Sequence, residues 1–328
     1  MRSALIILFA LALLPVAPPE SVAQSIGKVA RVGYVRSGTP DVDPYRAFFL
    51  RGMRDLGYVE GRNVAFEFRH YGDDAGTALS VIVNDLVRSK VDVIVVGGGA
   101  AIRSAQAATR TIPIVMGAVA DPLGGGLIEG LAHPGGNTTG LAFMSSELTV
   151  KRLELLKQVL PGAVRIGILR NPDNPSHVSI TNSIELATFS LGLTLRSFDA
   201  RGSDHLESSF AAMKTWPADA VVVLDDAAFI SIRAAIATQA LAKRLLLVCG
   251  IRELIEAGGC LFSYAVNIGD LWYRSATYVD KILKGAKPSE LPVQQPVKFE
   301  FMFNLKVAKA LGLEINATLL ARAEEVIE

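Results

Sequence analysis

Along most of the chain, short runs of aliphatic and β-branched residues alternate with longer stretches whose apolar positions recur every three or four residues. The first run, 31–36 (RVGYVR), predicts a strand. In 45–56, Tyr45, Phe48, Phe49, Met53 and Leu56 fall on one face of a helix, which Gly57 closes. Further strands are predicted at 63–68 (NVAFEF), 91–96 (VDVIVV), 112–116 and 139–143, with helices at 78–87 and 100–108. VDVIVV is almost continuously apolar, as a strand buried on both faces of a sheet should be. A short glycine-rich helix or turn is expected at 124–131, and 133–137 (HPGGN) reads as a loop.

The alternation then restarts. Helices are predicted at 150–159, 179–190, 206–216 and 229–242, and strands at 165–169 (RIGIL), 193–198, 220–224 and 245–248. Toward the end come a strand at 261–266, a helix at 271–283, an extended Pro-containing connector at 288–296, a strand at 298–304 (KFEFMFN), a short helix at 305–311 and a helical terminus. Strands alternating with helices at these lengths imply parallel sheets covered by helices on both faces. With right-handed crossovers each unit is doubly wound. The expected class is therefore α/β, with two doubly wound parallel-sheet lobes. The C-terminal pieces are too few for a third domain and are expected to return to the two sheets. That divides the chain into 24–143 plus 262–296 and 144–261 plus 297–328, joined by a multi-strand hinge.

Length fits this division, since 328 residues make two domains of about 150 each. Charge is balanced, with 33 Lys+Arg against 32 Asp+Glu, so the chain carries no electrostatic footprint for nucleic acid. The first 23 residues stand apart: Arg2, an apolar run over 4–16 broken only by Pro15, the breaker Pro18-Pro19-Glu20 and a small-x-small site at Ser21-Val22-Ala23. This reads as a cleaved secretion signal. The alternative is a membrane anchor, but the run is shorter than the roughly 20 residues that span a bilayer. The region has no Cys for a lipid anchor and no twin arginine. Soluble release after export, into the periplasm of a two-membrane bacterium, is expected, without membrane insertion. Cys249 and Cys260 could form a disulfide in that compartment or remain two buried thiols.

In open α/β sheets ligands bind at the carboxyl ends of strands. The loops there begin at Ser37 and Asn171, include Gly97-Gly98-Gly99 and 117–122, and carry Asp225-Asp226. Glycines admit a ligand close to the backbone, and a helix N-terminus offers free N–H groups to a carboxylate. A dinucleotide fingerprint fails because Ile102 stands at its third glycine, and no Gly-Lys-Ser/Thr occurs. The four His are scattered without metal-ligand spacing, and no Gly-x-Ser-x-Gly elbow exists. No cofactor, metal or catalytic set is therefore expected. Asp225-Asp226 could cap the following helix or touch a ligand, and Asp121-Pro122 could be a plain turn.

The strings GYVEGRNV (57–64), TIPIV (111–115), PGGN (134–137), KRLELL (151–156), EAGG (256–259), LPVQ (291–294) and NLKVAKALGL (304–313) belong together, with Arg252-Glu253 and Ser263-Tyr264. In this order they resemble the ABC transporter substrate-binding proteins of the tryptophan-binding type, over essentially the whole mature chain. The resemblance implies a type I periplasmic-binding-protein fold, two Rossmann-like lobes joined by three crossovers, and delivery of a small-molecule ligand to an ABC permease and its ATPase by a monomeric, non-enzymatic receptor. It carries ligand contacts to Ser37, Gly98, Gly99, Asp121, Asn171, Asp225 and Tyr264. An amino-acid-like ligand would place its carboxylate near Gly98-Gly99, its amine at Asp225 or Asp121, and its side chain on Tyr264. Cys249-Gly250 and Cys260 depart from the family pattern, so the ligand cannot be copied across. Two other readings share the cleft: a binding protein that presents ligand to a sensory membrane receptor, and a secreted α/β enzyme.

Overall fold

The computed structural model describes residues 29–72 and 75–328. The segment read as a secretion signal, 1–23, lies outside them. The first unit runs β1 (Ala30–Ser37), α1 (Arg46–Asp55), β2 (Val64–Tyr71), α2 (Ala75–Arg88), β3 (Val93–Gly97), α3 (Gly99–Ala108), β4 (Ile114–Val119) and β5 (Thr138–Ala142). The second runs α4 (Ser145–Val159), β6 (Arg165–Arg170), α5 (Pro175–Leu191), β7 (Thr194–Asp199), α6 (Ser203–Thr215), β8 (Ala220–Val223), α7 (Ala227–Ser231), α8 (Arg233–Ala242), β9 (Leu247–Cys249), α9 (Arg252–Glu256) and β10 (Cys260–Val266). The chain closes with α10 (Ile268–Leu283), β11 (Phe299–Asn304), α11 (Leu305–Leu311), α12 (Ala317–Leu320) and β12 (Glu325–Ile327).

Among the described residues the strands form two sheets, ordered β2-β1-β3-β4-β5 and β12-β11-β10-β9-β8-β6-β7. All pairings in the first are parallel. In the second, only β10 against β11 is antiparallel. This is the doubly wound α/β class read from the alternation. Both units repeat one order: β7-β6-β8-β9-β10 matches β2-β1-β3-β4-β5. Each sheet therefore has its switch point between its first and third strands, where outward crevices open. β3 is buried along its whole length, as the run VDVIVV implied.

Several local readings are corrected. The helix at 229–242 is two helices, broken at the buried Ile232 (φ −101°, ψ 18°). Its first part starts earlier because the Asp226 carboxylate caps it, accepting from the Ala228 N–H at 2.8 Å. Of the two forms read for the glycine-rich stretch 124–131, it takes the turn. α9 was not foreseen, and the helical terminus holds one turn of helix before β12 pairs parallel with β11. β10 belongs to the second sheet, so the chain returns to the first unit at Asn267 rather than at 262.

α10 then packs on α1, β3 and β4 of the first unit. Its Trp272 is fully buried, and only glycines admit it: a Cβ on Gly97 or Gly117 would stand 2.5 or 2.6 Å from the indole. The connector touches β5, with Gln294 bridged to Leu141, before β11 rejoins the second sheet. Three segments thus cross between the units, near residues 143, 267 and 297. Cys249 and Cys260 are free, buried thiols on neighbouring strands. Burial pushes the Cys260 thiol well above its usual pKa. Among the described residues no helix is long and apolar enough to cross a membrane.

Candidate functional site

The carboxyl ends of the two sheets face each other across a narrow cavity of about 30 Å³. The first unit contributes Arg36, from the end of β1, and Gly98-Gly99, from the turn between β3 and α3. The second contributes Asn174, ahead of α5, and Asp225 and Asp226, ahead of α7. Phe143, Ile230, Ile251 and Ile268 supply apolar walls.

Arg36 is only 3% exposed, so its charge must be balanced nearby. Its guanidinium carbon lies 4.7 Å from the Tyr45 ring centroid and 5.3 Å from that of Trp272. Asp43 Oδ1 stands 3.7 Å from its Nε, which has no hydrogen-bond partner. Asp43 is itself fixed by the Tyr34 hydroxyl (2.9 Å), the Tyr45 N–H (3.1 Å) and His70 Nε2 (3.3 Å). Burial would raise the Asp43 pKa, but these donors and the Arg36 charge outweigh it and hold the carboxyl below its ordinary value.

The opposite wall is acidic. Asp225 is 2% exposed, and its Oδ2 accepts from Ser145 Oγ at 2.8 Å and Arg152 Nη2 at 3.1 Å. Its Oδ1 is buried without a partner. Arg152, fully buried on α4, is anchored by Nε to the Tyr264 carbonyl (2.8 Å) and by Nη1 to Thr149 Oγ1 (3.1 Å). This ion pair needs Gly250: a Cβ there would lie 1.7 Å from Arg152 Nη2 and 2.3 Å from Asp225 Oδ1.

The two adjacent aspartates separate the roles that the sequence left open. Both line the cavity, but Asp225 keeps one oxygen without a partner, whereas Asp226 caps α7 and accepts from Asn171 Nδ2 (3.3 Å) and Asn174 Nδ2 (2.7 Å). His177, fully buried, braces the same turn. Its Nδ1 accepts the Asn171 N–H at 2.9 Å, so the neutral ring carries its proton on Nε2, 3.2 Å from the Asp225 carbonyl.

Of the residues expected at a site, the structure brings Gly98, Gly99 and Asp225 to one cavity. Ser37 lies beside it, its Oγ 2.9 Å from Ser231 Oγ of the other unit. Asn171 stands one layer back, holding Asp226. Asp121 is placed outside the cavity. Its carboxylate accepts from the Gly124 N–H (2.9 Å) and Ser179 Oγ (2.8 Å), and its carbonyl from Ser176 Oγ (2.8 Å), which ties it to α5 of the other unit. Tyr264 is also placed elsewhere. Because β10 stays in the second sheet, its ring stacks on Phe299 (centroids 6.2 Å, planes 5° apart) and only its carbonyl serves the site, through Arg152. Arg36, Asn174 and Arg152 were not singled out from sequence. Arg36 had a signal, a charge at the carboxyl end of a strand whose middle is apolar; Arg152, inside an amphipathic helix, had none.

The units are in direct contact across the cavity. Gly98, with φ +89° open to glycine, brings the turn to within 3.1 Å of the Ala227 Cβ, measured from where a Cβ of its own would stand. At Gly99 a Cβ would meet Asn174 Oδ1 at 2.6 Å. A cation, a carboxylate and the first-turn N–H groups of α3 thus meet around one small space. Among the described residues no cluster of three or more His, Cys, Asp or Glu could hold a metal ion.

Comparison with known proteins adds to this geometry. Residues 38–327 match the family described as ABC transporter substrate binding protein. A tyrosine-binding protein of Clostridioides difficile (strain R20291) is 25% identical over 276 residues, spanning 84% of this chain and 78% of that one. Among solved structures, an ABC domain from Streptococcus pneumonia in complex with L-Trp superposes with a TM-score of 0.83 at 25% identity, covering 91% of this chain and 99% of that one. A conserved domain protein from Vibrio cholerae O1 biovar eltor gives 0.83 at 29% identity, covering 91% and 100%.

Proposed function

Since the chain belongs to the ABC transporter substrate binding protein family, we propose that it captures a small zwitterionic solute of the amino-acid class between its lobes and delivers it to an ABC permease. The observation that carries this is the buried Asp225, which has one oxygen without a partner and lines a cavity whose other wall holds Arg36 and the N-terminus of α3. An α-ammonium completes Asp225 Oδ1, and an α-carboxylate is held by Arg36 and the first-turn N–H groups of α3. Neither polar wall is complete without a ligand that bears both charges. The tyrosine-binding relative and the L-Trp complex support an amino acid.

In this reading the lobes are 29–143 with 268–296 and 144–267 with 297–328, and the three crossing segments are the hinge. A solute that contacts Arg36 on one lobe and Asp225 on the other binds the closed form better than the open form, so it shifts the population toward closure. The permease recognises the closed surface. Residues 1–23 act as an export signal, and the mature protein works as a soluble receptor outside the cytoplasmic membrane, without catalysis.

A thermal-shift screen of the twenty L-amino acids against the mature protein tests the proposal. A solute at 100 times its dissociation constant adds about 2.7 kcal/mol to stability. At least one amino acid raises the melting temperature, and Asp225→Asn removes the shift. A screen in which none shifts it, or in which Asp225→Asn leaves the shift intact, refutes the assignment.

A further inference from the structure

Beside the cavity just described lies a larger one of about 210 Å³, at the edge of the cleft where the chain crosses into α10. The two are neighbours through three residues. Ile268 lines both. Ile251 of the first is followed in sequence by Arg252 and Glu253 of the second. Arg36 of the first lies over the ring of Tyr45 of the second. The first cavity has room for about two or three water molecules, enough for a polar head group and no more.

The larger cavity has apolar walls in Phe48, Val266 and Ile268 and two neighbouring polar groups, Tyr45 and Glu253, each with an atom that makes no well-aligned hydrogen bond. Tyr45 is 3% exposed and its hydroxyl has no hydrogen-bond partner; Glu253 Oε2 is likewise buried and unpartnered. Burial and the neighbouring Glu253 carboxylate push the Tyr45 phenol well above its usual pKa, so it stays neutral. The second carboxylate of the cavity is already satisfied: Glu300 accepts from Asn267 Nδ2 at 2.8 Å and Arg252 Nε at 3.1 Å. Arg252 also binds Glu256 and Glu325, at 3.2 and 2.8 Å. The wall therefore offers a buried acceptor, Glu253, beside a neutral phenol.

We propose that this second cavity receives the side chain of the bound amino acid and selects one that ends in a hydrogen-bond donor, a hydroxyl or an ammonium. The inference rests on the amino-acid reading of the first cavity and adds which class of amino acid fits. With the charged head held between Arg36 and Asp225, the side chain leaves past Ile268 toward Glu253 and Tyr45. A terminal donor satisfies Glu253. An apolar end leaves the desolvated carboxylate with only the Tyr45 phenol beside it, and an acidic end meets a like charge. A site built to bind a terminal donor rejects the analogue without it by tenfold or more.

Matched pairs test this by isothermal titration calorimetry on the full mature chain: L-lysine against L-norleucine, and L-tyrosine against L-phenylalanine. In at least one pair the donor-bearing member binds tenfold or more tightly than its partner. Glu253→Gln, or Tyr45→Phe on the other wall, cuts that ratio at least fivefold. Equal binding within both pairs, or a ratio that survives both substitutions, overturns the inference while the amino-acid reading stands. Binding by none of the four overturns the inference, while the amino-acid reading is decided by the screen of the twenty L-amino acids.

Discussion

Gly99 is a position where closure can be opposed without changing a charged side chain. It opens α3 with an ordinary helical backbone, so alanine fits the lobe itself and is the better helix former by up to about 1 kcal/mol. Across the cleft the new Cβ would stand 2.6 Å from Asn174 Oδ1 and 3.1 Å from Pro175 Cδ. Asn174 cannot swing away cheaply, because its Oδ1 accepts the Ser176 N–H at 3.1 Å and its Nδ2 donates to Asp226 at 2.7 Å. Overpacking of this kind costs about 1–3 kcal/mol. The cost falls on the closed form alone, since the clashing atoms belong to opposite lobes. Gly99→Ala therefore lowers the closed-to-open ratio, and with it the apparent affinity, about 5- to 150-fold. Titration calorimetry with the tightest amino acid of the screen reads the affinity, and urea unfolding of the free protein reads the stability. An unchanged dissociation constant would refute the argument. So would weaker binding accompanied by an equal loss of unfolding free energy, which would mark a folding defect instead of a closure defect.

Two further outcomes follow from buried charges. Arg152→Met removes three hydrogen bonds from a fully buried guanidinium and leaves Asp225 charged and unpaired, so urea unfolding should show a loss of about 3–5 kcal/mol; a loss below 1 kcal/mol would contradict the pairing. The Asp43 carboxyl is held below its ordinary pKa, so its stabilisation is complete above about pH 4, the unfolded value, and disappears as pH falls through the lower folded value. Unfolding free energies measured from pH 7 to pH 3 should fall more steeply for the parent than for Asp43→Asn, and parallel curves would count against the cluster of Asp43, His70 and Tyr34.

Hydrophobic periodicity alone sufficed for most strands and helices, for the α/β class, and for two similar units. These are local properties: a strand such as VDVIVV needs both faces buried wherever it ends up, and a stripe of Tyr45, Phe49 and Met53 needs a core on one side. The carboxyl-end rule also pointed to the loops that hold Gly98, Gly99 and Asp225, because a doubly wound sheet opens there. Tertiary structure decided the rest. An alternating run such as residues 260–266 is equally apolar in either sheet, and only the partners β9 and β11 fix its place, which turns Tyr264 away from the cleft. Asp121 looked like Asp225 in sequence, yet two serines of α5 claim it. Arg36 is held by Asp43 beside it and by Trp272, which lies more than two hundred residues away in the chain, and Arg152 reaches Asp225 only because Gly250 leaves room. Periodicity reports what a segment must hide from water. Which distant group neutralises a buried charge depends on contacts that exist only after both lobes have folded and met.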